Sequence, residues 1–271
     1  MFNEDYKTIQ RMAPLLQRVL IVDPQPSGAR LIGDLMRNIA HSQIWIAAST
    51  PKALGVIKSV EPQVIFVEAS GPGVDGADFT RALRRSDLAA RQAPVIMVTA
   101  NATAAGIIAA RDAGVHEFLR KPFTTKDLLR RLEAITLRPR DWIEAVTYVG
   151  PDRRRFNSGD YTGALKRRSD ARATPDAARI LQALKILKSA VGAIEEDPAQ
   201  ALRSMQAQAA DLQKAAVAVS DMNLSTASAN FQRFLTQAAA RGPLISAEVA
   251  KHAQPLIDMM PKEAGRDAEA A

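Results

Sequence analysis

Between Val19 and Arg120 the chain alternates five short apolar runs with longer amphipathic stretches, and this alternation restricts the fold more than any other feature. The runs are rich in β-branched residues, which is typical of parallel strands that are covered on both faces. Strands that alternate with helices predict a doubly wound α/β fold with a five-stranded parallel sheet and a site at the carboxyl ends of the strands. The predicted strands span residues 19–22, 44–47, 64–67, 95–98 and 117–120.

The chain changes character after residue 137. Residues 138–173 carry nine Lys/Arg against five Asp/Glu and contain Gly-Pro and Asn-Ser-Gly sequences. Turn formers without a sustained hydrophobic period are typical of loops, so we interpret this segment as a linker or an ordered irregular arm. The formal net charge of the chain is +7, and much of it lies in this arm. A positive net charge favours acidic partners such as nucleic acid, nucleotides or acidic protein surfaces.

An alanine-rich region from Thr174 onward has the signals of capped helices. Proline follows an N-cap residue at Pro175 and at Pro198, and Gly242 is placed to end a helix. Short connections favour antiparallel neighbours, so an all-α helical bundle or hairpin pair is predicted to follow the α/β domain. The predicted helices lie near 175–195, 198–221, 225–241 and 246–260.

The sequence also excludes several kinds of protein. It has no cysteine, which excludes disulfides, thiolate metal sites and cysteine nucleophiles. The N-terminus lacks the apolar core of a signal peptide, and no run approaches the roughly 20 apolar residues of a membrane span, so we expect a cytoplasmic protein. The predicted organisation is an N-terminal helical extension (1–18), the α/β domain (19–137), the basic arm (138–173), the helical region (174–261) and a disordered tail (262–271).

Short motifs at the ends of the predicted strands carry a family resemblance. Asp23 follows the first strand, Glu68 begins a Glu-Ala-Ser-Gly-Pro-Gly-Val-Asp-Gly segment after the third, and Thr99-Ala100 follows the fourth. The fifth strand contains Phe118 and is followed by Lys121-Pro122-Phe123. In this order and spacing the motifs resemble the receiver domain of two-component response regulators, over less than half of the chain.

The resemblance implies a role for each of these residues. Glu68 stands at the phosphoacceptor position, where the family has aspartate, and Asp23 is one member of an acidic pair whose second member here is Pro24. Thr99, Phe118 and Lys121 match the switch residues of the family. Mg²⁺ prefers an octahedral set of oxygen ligands, and Pro24 offers no side-chain oxygen. We therefore expect no bound metal, no cofactor, no catalytic residue and severely weakened phosphorylation.

Glutamate at the acceptor position has three interpretations. An ion pair with Lys121 and a hydrogen bond with Thr99 would let Glu68 mimic the phosphorylated state. Alternatively, the pocket has decayed into a structural salt bridge. In the third interpretation, Asp23 and Glu68 still support phosphorylation, and the chain is a genuine phosphorelay receiver.

The basic arm combines arginines with aromatic residues. Guanidinium groups bind phosphate oxygens in bidentate fashion and stack on rings, which favours a phosphate-bearing ligand or nucleic acid. The arm loosely resembles arginine-rich extensions that bind cyclic di-GMP in some receiver-like proteins. A solvated linker whose charges contact acidic faces of the same chain and a protein-docking arm are the alternatives. The candidate arginines are Arg153, Arg154, Arg155, Arg167 and Arg168, near Tyr148, Phe156 and Tyr161.

The helical region offers little chemistry. His252 precedes Pro255, where we expect the helix to break, so we interpret it as a surface residue rather than a phosphocarrier. The alanine-rich stripes favour a core or a self-association surface, hence a possible homo-oligomer. The sequence thus predicts a non-enzymatic signalling adaptor that binds a kinase, a phosphotransferase or an output partner. A cyclic di-GMP or nucleic-acid effector and a genuine phosphorelay receiver are the alternatives.

Overall fold

The computed structural model describes residues 2–153 and 175–261, and these fall into two compact units. The described part of unit 1 comprises residues 2–143 and 148–153, and that of unit 2 comprises residues 144–147 and 175–261. The predicted tail, 262–271, and residues 154–174 lie outside the described residues. None of the described helices is long and apolar enough to cross a membrane.

Unit 1 is built on a five-stranded parallel sheet with the strand order β2-β1-β3-β6-β7. All five predicted strands and the doubly wound α/β fold are confirmed. A short hairpin, β4 with β5, lies in the loop after β3. In chain order the elements are α1 (Phe2–Met12), β1 (Arg18–Val22), α2 (Pro26–Ala40), β2 (Gln43–Ala47), α3 (Thr50–Val60), β3 (Val64–Glu68), β4 (Ser70–Gly71), β5 (Val74–Asp75), α4 (Gly76–Arg85), β6 (Val95–Thr99), α5 (Ala104–Asp112), β7 (Glu117–Arg120) and α6 (Thr125–Thr136).

The sheet has a hydrophobic core on each face. Alternate residues of a strand point to opposite faces, so Val19 and Ile21 join one core whereas Leu20 and Val22 join the other. The helices α2 and α6 cover the first face, while α3, α4 and α5 cover the second. The strands β1, β3 and β6 are near-continuously apolar because both of their faces are covered.

The N-terminal extension is part of unit 1. Its helix α1 contacts α2 and α6, and Met12 and Leu16 are buried in the first core. Burial of side chains of this size contributes about 1.5–3 kcal/mol each. The predicted helical extension thus stabilises the α/β domain directly.

The α/β unit extends beyond the predicted boundary at residue 137. Two short strands, β8 (Trp142–Glu144) and β9 (Val149–Pro151), form a separate two-stranded sheet in the first part of the predicted arm. Residues 138–143 and 148–153, which we call the strap, belong to unit 1, whereas residues 144–147 belong to unit 2. This part of the predicted arm is ordered, and Tyr148 and Val149 are buried.

Unit 2 contains four helices within residues 175–261, as predicted. They share one core that includes Leu187, Leu212, Phe231 and Val249. The expectation of a break at Pro255 is wrong, because the last helix continues to Ile257 with this proline inside it. The helices are α7 (Pro175–Gly192), α8 (Pro198–Ala218), α9 (Met222–Arg241) and α10 (Ser246–Ile257).

Candidate functional site

The acidic residues and the lysine singled out from the sequence meet at the carboxyl edge of the sheet. Asp23 directly follows β1, Glu68 is the last residue of β3, and Lys121 directly follows β7. Parallel strands place their carboxyl ends at one edge, which is why residues far apart in sequence converge here. We call Asp23, Glu68 and Lys121 the carboxylate pocket.

One ammonium group joins the two carboxylates. Lys121 Nζ donates a hydrogen bond of 2.6 Å to Glu68 Oε2 and lies 3.5 Å from Asp23 Oδ2. The exposed fraction of the side chain is 28% for Lys121, 11% for Glu68 and 3% for Asp23. Asp23 Oδ1 also accepts a hydrogen bond of 2.8 Å from the backbone N–H of Gln25. The pocket is therefore largely shielded from solvent, and its one ammonium group is shared by two carboxylates.

The pKa of Lys121 reflects a competition between burial and its acidic neighbours. Burial alone lowers the pKa, but the hydrogen bond from Lys121 to Glu68 and the charges of Glu68 and Asp23 outweigh it, so the pKa is raised. Lys121 is consequently charged at neutral pH and its ion pair is fully formed.

Thr99 does not complete the predicted arrangement. Its hydroxyl oxygen accepts a hydrogen bond of 3.1 Å from the backbone N–H of Asn101, and the predicted bond with Glu68 is not formed. In turns, a hydroxyl oxygen commonly accepts a hydrogen bond from the backbone N–H two residues later in the chain. Here this turn follows β6. Phe118 is buried in the second core, at 5% exposure.

Three small or rigid residues bound the pocket, and sequence reasoning missed two of them. A Cβ added at Gly28 would lie 2.6 Å from Asp23 Oδ2, and one at Gly71 would lie 2.7 Å from Pro24 Cγ. The ring of Pro24 thus contacts β4, and the first turn of α2 lies directly against the carboxylate of Asp23. A glycine near an acidic residue is a weak sequence signal, because only the tertiary structure shows the close approach.

The residues of the pocket do not fit the Mg²⁺ site that the family resemblance implies. Of the three acidic positions, only Asp23 and Glu68 provide carboxylates, and an ammonium group already lies 2.6 Å from the latter. Among the described residues, no group of three or more His, Cys, Asp or Glu side chains could hold a metal ion. A hard divalent cation requires more oxygen ligands than this set supplies.

The one candidate arginine of the arm that the structure describes makes contacts within unit 1. The guanidinium carbon of Arg153 lies 4.4 Å from the ring centroid of Tyr148, and Arg153 Nη1 lies 3.1 Å from Asp112 Oδ1. Hydrogen bonds from Arg111 and Arg153 hold the pKa of Asp112 below its usual value. Tyr148 is buried and donates a hydrogen bond of 2.5 Å to the carbonyl of Pro151. Arg154, Arg155, Arg167, Arg168, Phe156 and Tyr161 lie outside the described residues.

His252 lies in an exposed position of α10, in line with its interpretation as a surface residue. Its ring stacks on Phe234 of α9 with centroids 3.9 Å apart. This stacking gives His252 a structural role within unit 2.

Comparisons with known proteins agree on unit 1. A sequence model of the response regulator receiver domain matches residues 19–133. The chemotaxis protein CheY of Pseudomonas aeruginosa is 34% identical over 118 residues, which cover 44% of this chain and 94% of that protein. The DNA-binding response regulator MtrA of Mycolicibacterium smegmatis is 28% identical over 130 residues, 48% of this chain and 55% of that protein. A CheY-like receiver domain protein of Methanospirillum hungatei, with a solved structure, is 20% identical, covers 46% of this chain and 96% of that one, and has a TM-score of 0.41.

Through this part of its sequence, the chain belongs to the response regulator receiver family. The chain spans about half the length of the DNA-binding response regulators that it matches.

Proposed function

We propose that this chain is a non-enzymatic cytoplasmic signalling adaptor, in a two-component or related pathway, whose receiver domain binds partner proteins independently of phosphorylation. The hydrogen bond of 2.6 Å from Lys121 Nζ to Glu68 Oε2 is the observation that carries the proposal. Its partner would be a kinase, a phosphotransferase or an output protein that recognises the carboxyl edge of the sheet.

The chemistry of the pocket supports independence from phosphate. Phosphoryl transfer depends on metal ions that neutralise the developing charge and on accurate positioning of the nucleophile. Pro24 supplies no ligand, and the carboxylate at the acceptor position is one methylene further from the backbone than that of an aspartate. Lys121 already donates to Oε2 of that carboxylate, and the pocket lacks the further carboxylate that a divalent cation would need.

The same contact favours a fixed, active-like arrangement over an inert one. The longer side chain of Glu68 carries its negative charge to the ammonium group of Lys121, where the family resemblance would place a phosphoryl oxygen. A charge-assisted bond of this length is among the stronger hydrogen bonds in proteins. The arrangement of Thr99 is not part of this mimicry, since its hydroxyl is engaged by the turn that follows β6.

A phosphorylation assay tests the first half of the proposal. The chain is incubated with acetyl phosphate and Mg²⁺, and intact mass spectrometry measures any phosphoryl adduct. We expect none for the natural chain, and we expect a Mg²⁺-dependent adduct to appear in a double variant Pro24→Asp, Glu68→Asp, which restores the missing carboxylate and the shorter acceptor. A stoichiometric adduct on the natural chain that disappears in Glu68→Ala would instead identify a genuine phosphorelay receiver.

Partner binding tests the second half. A pull-down with the natural chain identifies partners, and the affinity of one of them is then measured for Glu68→Gln and Lys121→Ala. We expect both variants to weaken binding by similar factors, because each removes the same ion pair, and the double variant to add little. Lys126→Ala, at an exposed position of α6, is the control. Equal affinities for all the variants would show that the pocket has no role in binding.

A further inference from the structure

A second cluster of charged and titratable residues lies at the amino ends of β6 and β7, at the edge of the sheet opposite to the carboxylate pocket. Its centre is Arg84, from the last turn of α4, which is among the largest fully buried side chains of the described residues and is only 1% exposed. Burial of a guanidinium group without partners is costly, so its contacts decide what this cluster does.

The partners of Arg84 are carbonyl oxygens and one histidine nitrogen. Its Nε and Nη2 both donate to the carbonyl of Gly114, at 3.1 and 3.0 Å. Its Nη1 donates to the carbonyls of Arg91 and Ala93, at 2.6 and 3.0 Å. The remaining contact is from Nη2 to Nδ1 of His116, at 3.2 Å. None of these hydrogen-bond partners carries a negative charge, so the hydrogen bonds stabilise the cation through dipoles.

The geometry fixes the protonation state of His116. Its Nδ1 faces two donors, Nη2 of Arg84 and the backbone N–H of Val95 at 3.3 Å, and therefore acts as an acceptor. The proton of the neutral ring then lies on Nε2. A second proton, on Nδ1, would turn the acceptor into a donor that faces two other donors.

The strap lies against this same cluster. The guanidinium carbon of Arg84 is 5.3 Å from the ring centroid of Trp142, and the rings of His116 and Trp142 are 6.5 Å apart. Arg140, also in the strap, donates hydrogen bonds to the carbonyl of His116 and to that of Asp152.

Two glycines allow the strap to approach the domain so closely. A Cβ at Gly114 would lie 2.5 Å from the carbonyl oxygen of Val149, and one at Gly150 would lie 2.7 Å from the Cα of Gly114. Both residues have positive φ angles, of 88° and 154°. The strap is thus in backbone contact with the turn that precedes His116.

We propose that the strap is a pH-sensitive element, and that protonation of His116 releases residues 138–143 and 148–153 from this edge of the domain. The proton would break the two hydrogen bonds that Nδ1 accepts and would place a second cation against Arg84. The guanidinium position that allows these hydrogen bonds also allows the bonds from Arg84 to Gly114 and the contact with Trp142. If Arg84 moves away from the second cation, these contacts are lost as well.

The surrounding charges oppose protonation in the closed state. Burial and then the charges of Arg84 and Arg140 hold the pKa of His116 well below its usual value. Burial lowers the pKa of Arg84 to about 9, so this residue stays charged throughout the acidic range. The other charged or titratable groups are Tyr148 and Arg91 around Arg84, and Glu117, Tyr148 and Asp152 around Arg140; Glu117 is itself paired with Arg131 at 3.3 Å.

The direction of the pH effect follows from this lowered pKa. In the released state the histidine would titrate near its ordinary value of about 6.5, whereas in the closed state it stays neutral. At a pH above about 6.5 the histidine is neutral in both states, so protonation does not oppose closure. Below that value the released state binds one proton more, so the closing equilibrium weakens about tenfold for each pH unit.

Fluorescence of Trp142 tests the proposal in the full chain. The sequence has two tryptophans, so Trp45→Phe leaves Trp142 as the sole tryptophan, which is excited selectively at the red edge of the absorption band. Acrylamide quenching is measured from pH 8 to pH 4.5, with far-ultraviolet circular dichroism as the control for folding. We expect quenching to rise below pH of about 6.5 in this background. Addition of His116→Asn, whose side-chain oxygen can accept the same bonds without titrating, should leave quenching independent of pH.

A matched histidine variant and a direct titration complete the test. His41 has a left-handed backbone conformation that asparagine tolerates, so His41→Asn is the control and should keep the pH response. Nuclear magnetic resonance of the natural chain should show the ring of His116 titrating in the same pH range in which Trp142 becomes exposed. Quenching that stays constant down to pH 4.5, or that changes equally in His116→Asn, would overturn the proposal. If that variant fails to fold, exposure of Trp142 without titration of His116 would overturn it as well.

Discussion

Lys121 Nζ lies 2.6 Å from Glu68 Oε2 and 3.5 Å from Asp23 Oδ2, so a single ammonium group is shared by the carboxylate at the end of β3 and the one directly after β1. Each of these residues comes from a separate part of the chain. Removal of the cation would leave two shielded carboxylates facing each other, and removal of either carboxylate would leave the lysine with one partner. The three side chains therefore depend on one another electrostatically, and a change at one of them alters the environment of the other two.

Replacement of Lys121 by methionine should destabilise unit 1. Two carboxylates that are at most 11% exposed would lose their cation, and partial solvent access to the lysine moderates the cost, so we expect a loss of about 1–3 kcal/mol. Urea denaturation followed by circular dichroism measures it. Lys126→Met, at an exposed position, is the control and should change stability by less than about 0.5 kcal/mol. Equal effects of the two substitutions would contradict a stabilising role of the ion pair.

The contribution of Lys121 should depend on pH in one direction only. Because its pKa is raised by folding, its stabilising effect is fully present below the unfolded value of about 10.4 and is lost as the pH rises through the folded value. The stability difference between the natural chain and Lys121→Met should therefore be constant from pH 7 to about pH 9 and shrink above about pH 10.5. Urea denaturation at several pH values tests this. A difference that already disappears near neutral pH would show that Lys121 is not paired as observed.

Two glycines in helices provide a matched test of the space around Asp23. Glycine in a helix costs about 1 kcal/mol relative to alanine, so Gly55→Ala, with no neighbour within 4 Å of the added Cβ, should stabilise the chain by up to that amount. Gly28→Ala would place the methyl group 2.6 Å from Asp23 Oδ2 and should displace that carboxylate from Lys121. We expect it to be less stable than Gly55→Ala by at least about 1 kcal/mol. Thermal or urea denaturation that ranks the two variants equally would mean that Asp23 moves aside without cost.

The stability of the helical unit should depend on a segment that precedes it in the chain. Ser204 Oγ and Gln208 Nε2 donate to the carbonyl oxygen of Glu144, at 2.9 and 3.1 Å, and Gln200 Nε2 donates to its carboxylate at 2.8 Å. All four residues are buried. A fragment that begins at Thr174 should be helical, but it would leave these three side chains without their partners.

A fragment of residues 144–261 should accordingly be more stable than one of residues 174–261, by about 2–3 kcal/mol for three buried hydrogen bonds. Urea denaturation followed by circular dichroism compares the two, and analytical ultracentrifugation shows whether either fragment self-associates. Ser204→Ala in the longer fragment should lower its free energy of unfolding and so bring it closer to that of the shorter fragment. Identical midpoints for both fragments would show that residues 144–147 do not stabilise the unit.

The sequence by itself determined the five strands of the parallel sheet and the four helices of unit 2, and it singled out the residues of the carboxylate pocket. Near-continuous β-branched runs are compatible with little except buried parallel strands, and the carboxyl ends of such strands share one edge. Position predicted a site at that edge, and the resemblance to the receiver family then singled out Asp23, Glu68 and Lys121. The capping residues and prolines likewise marked helices of unit 2, because those signals act within a single turn.

Only the tertiary structure decided the contacts that depend on distant backbone atoms. The strap has no hydrophobic period, and its position depends on the close approach of Gly150 to Gly114, which no local pattern encodes. The burial of Arg84 depends on three carbonyl oxygens from two segments of the chain, and the hydroxyl of Thr99 is engaged by a turn rather than by Glu68. Sequence patterns report which residues are apolar and where the chain turns. They do not report where an unpaired donor will find its acceptor, because that depends on the positions of backbone atoms in the folded chain.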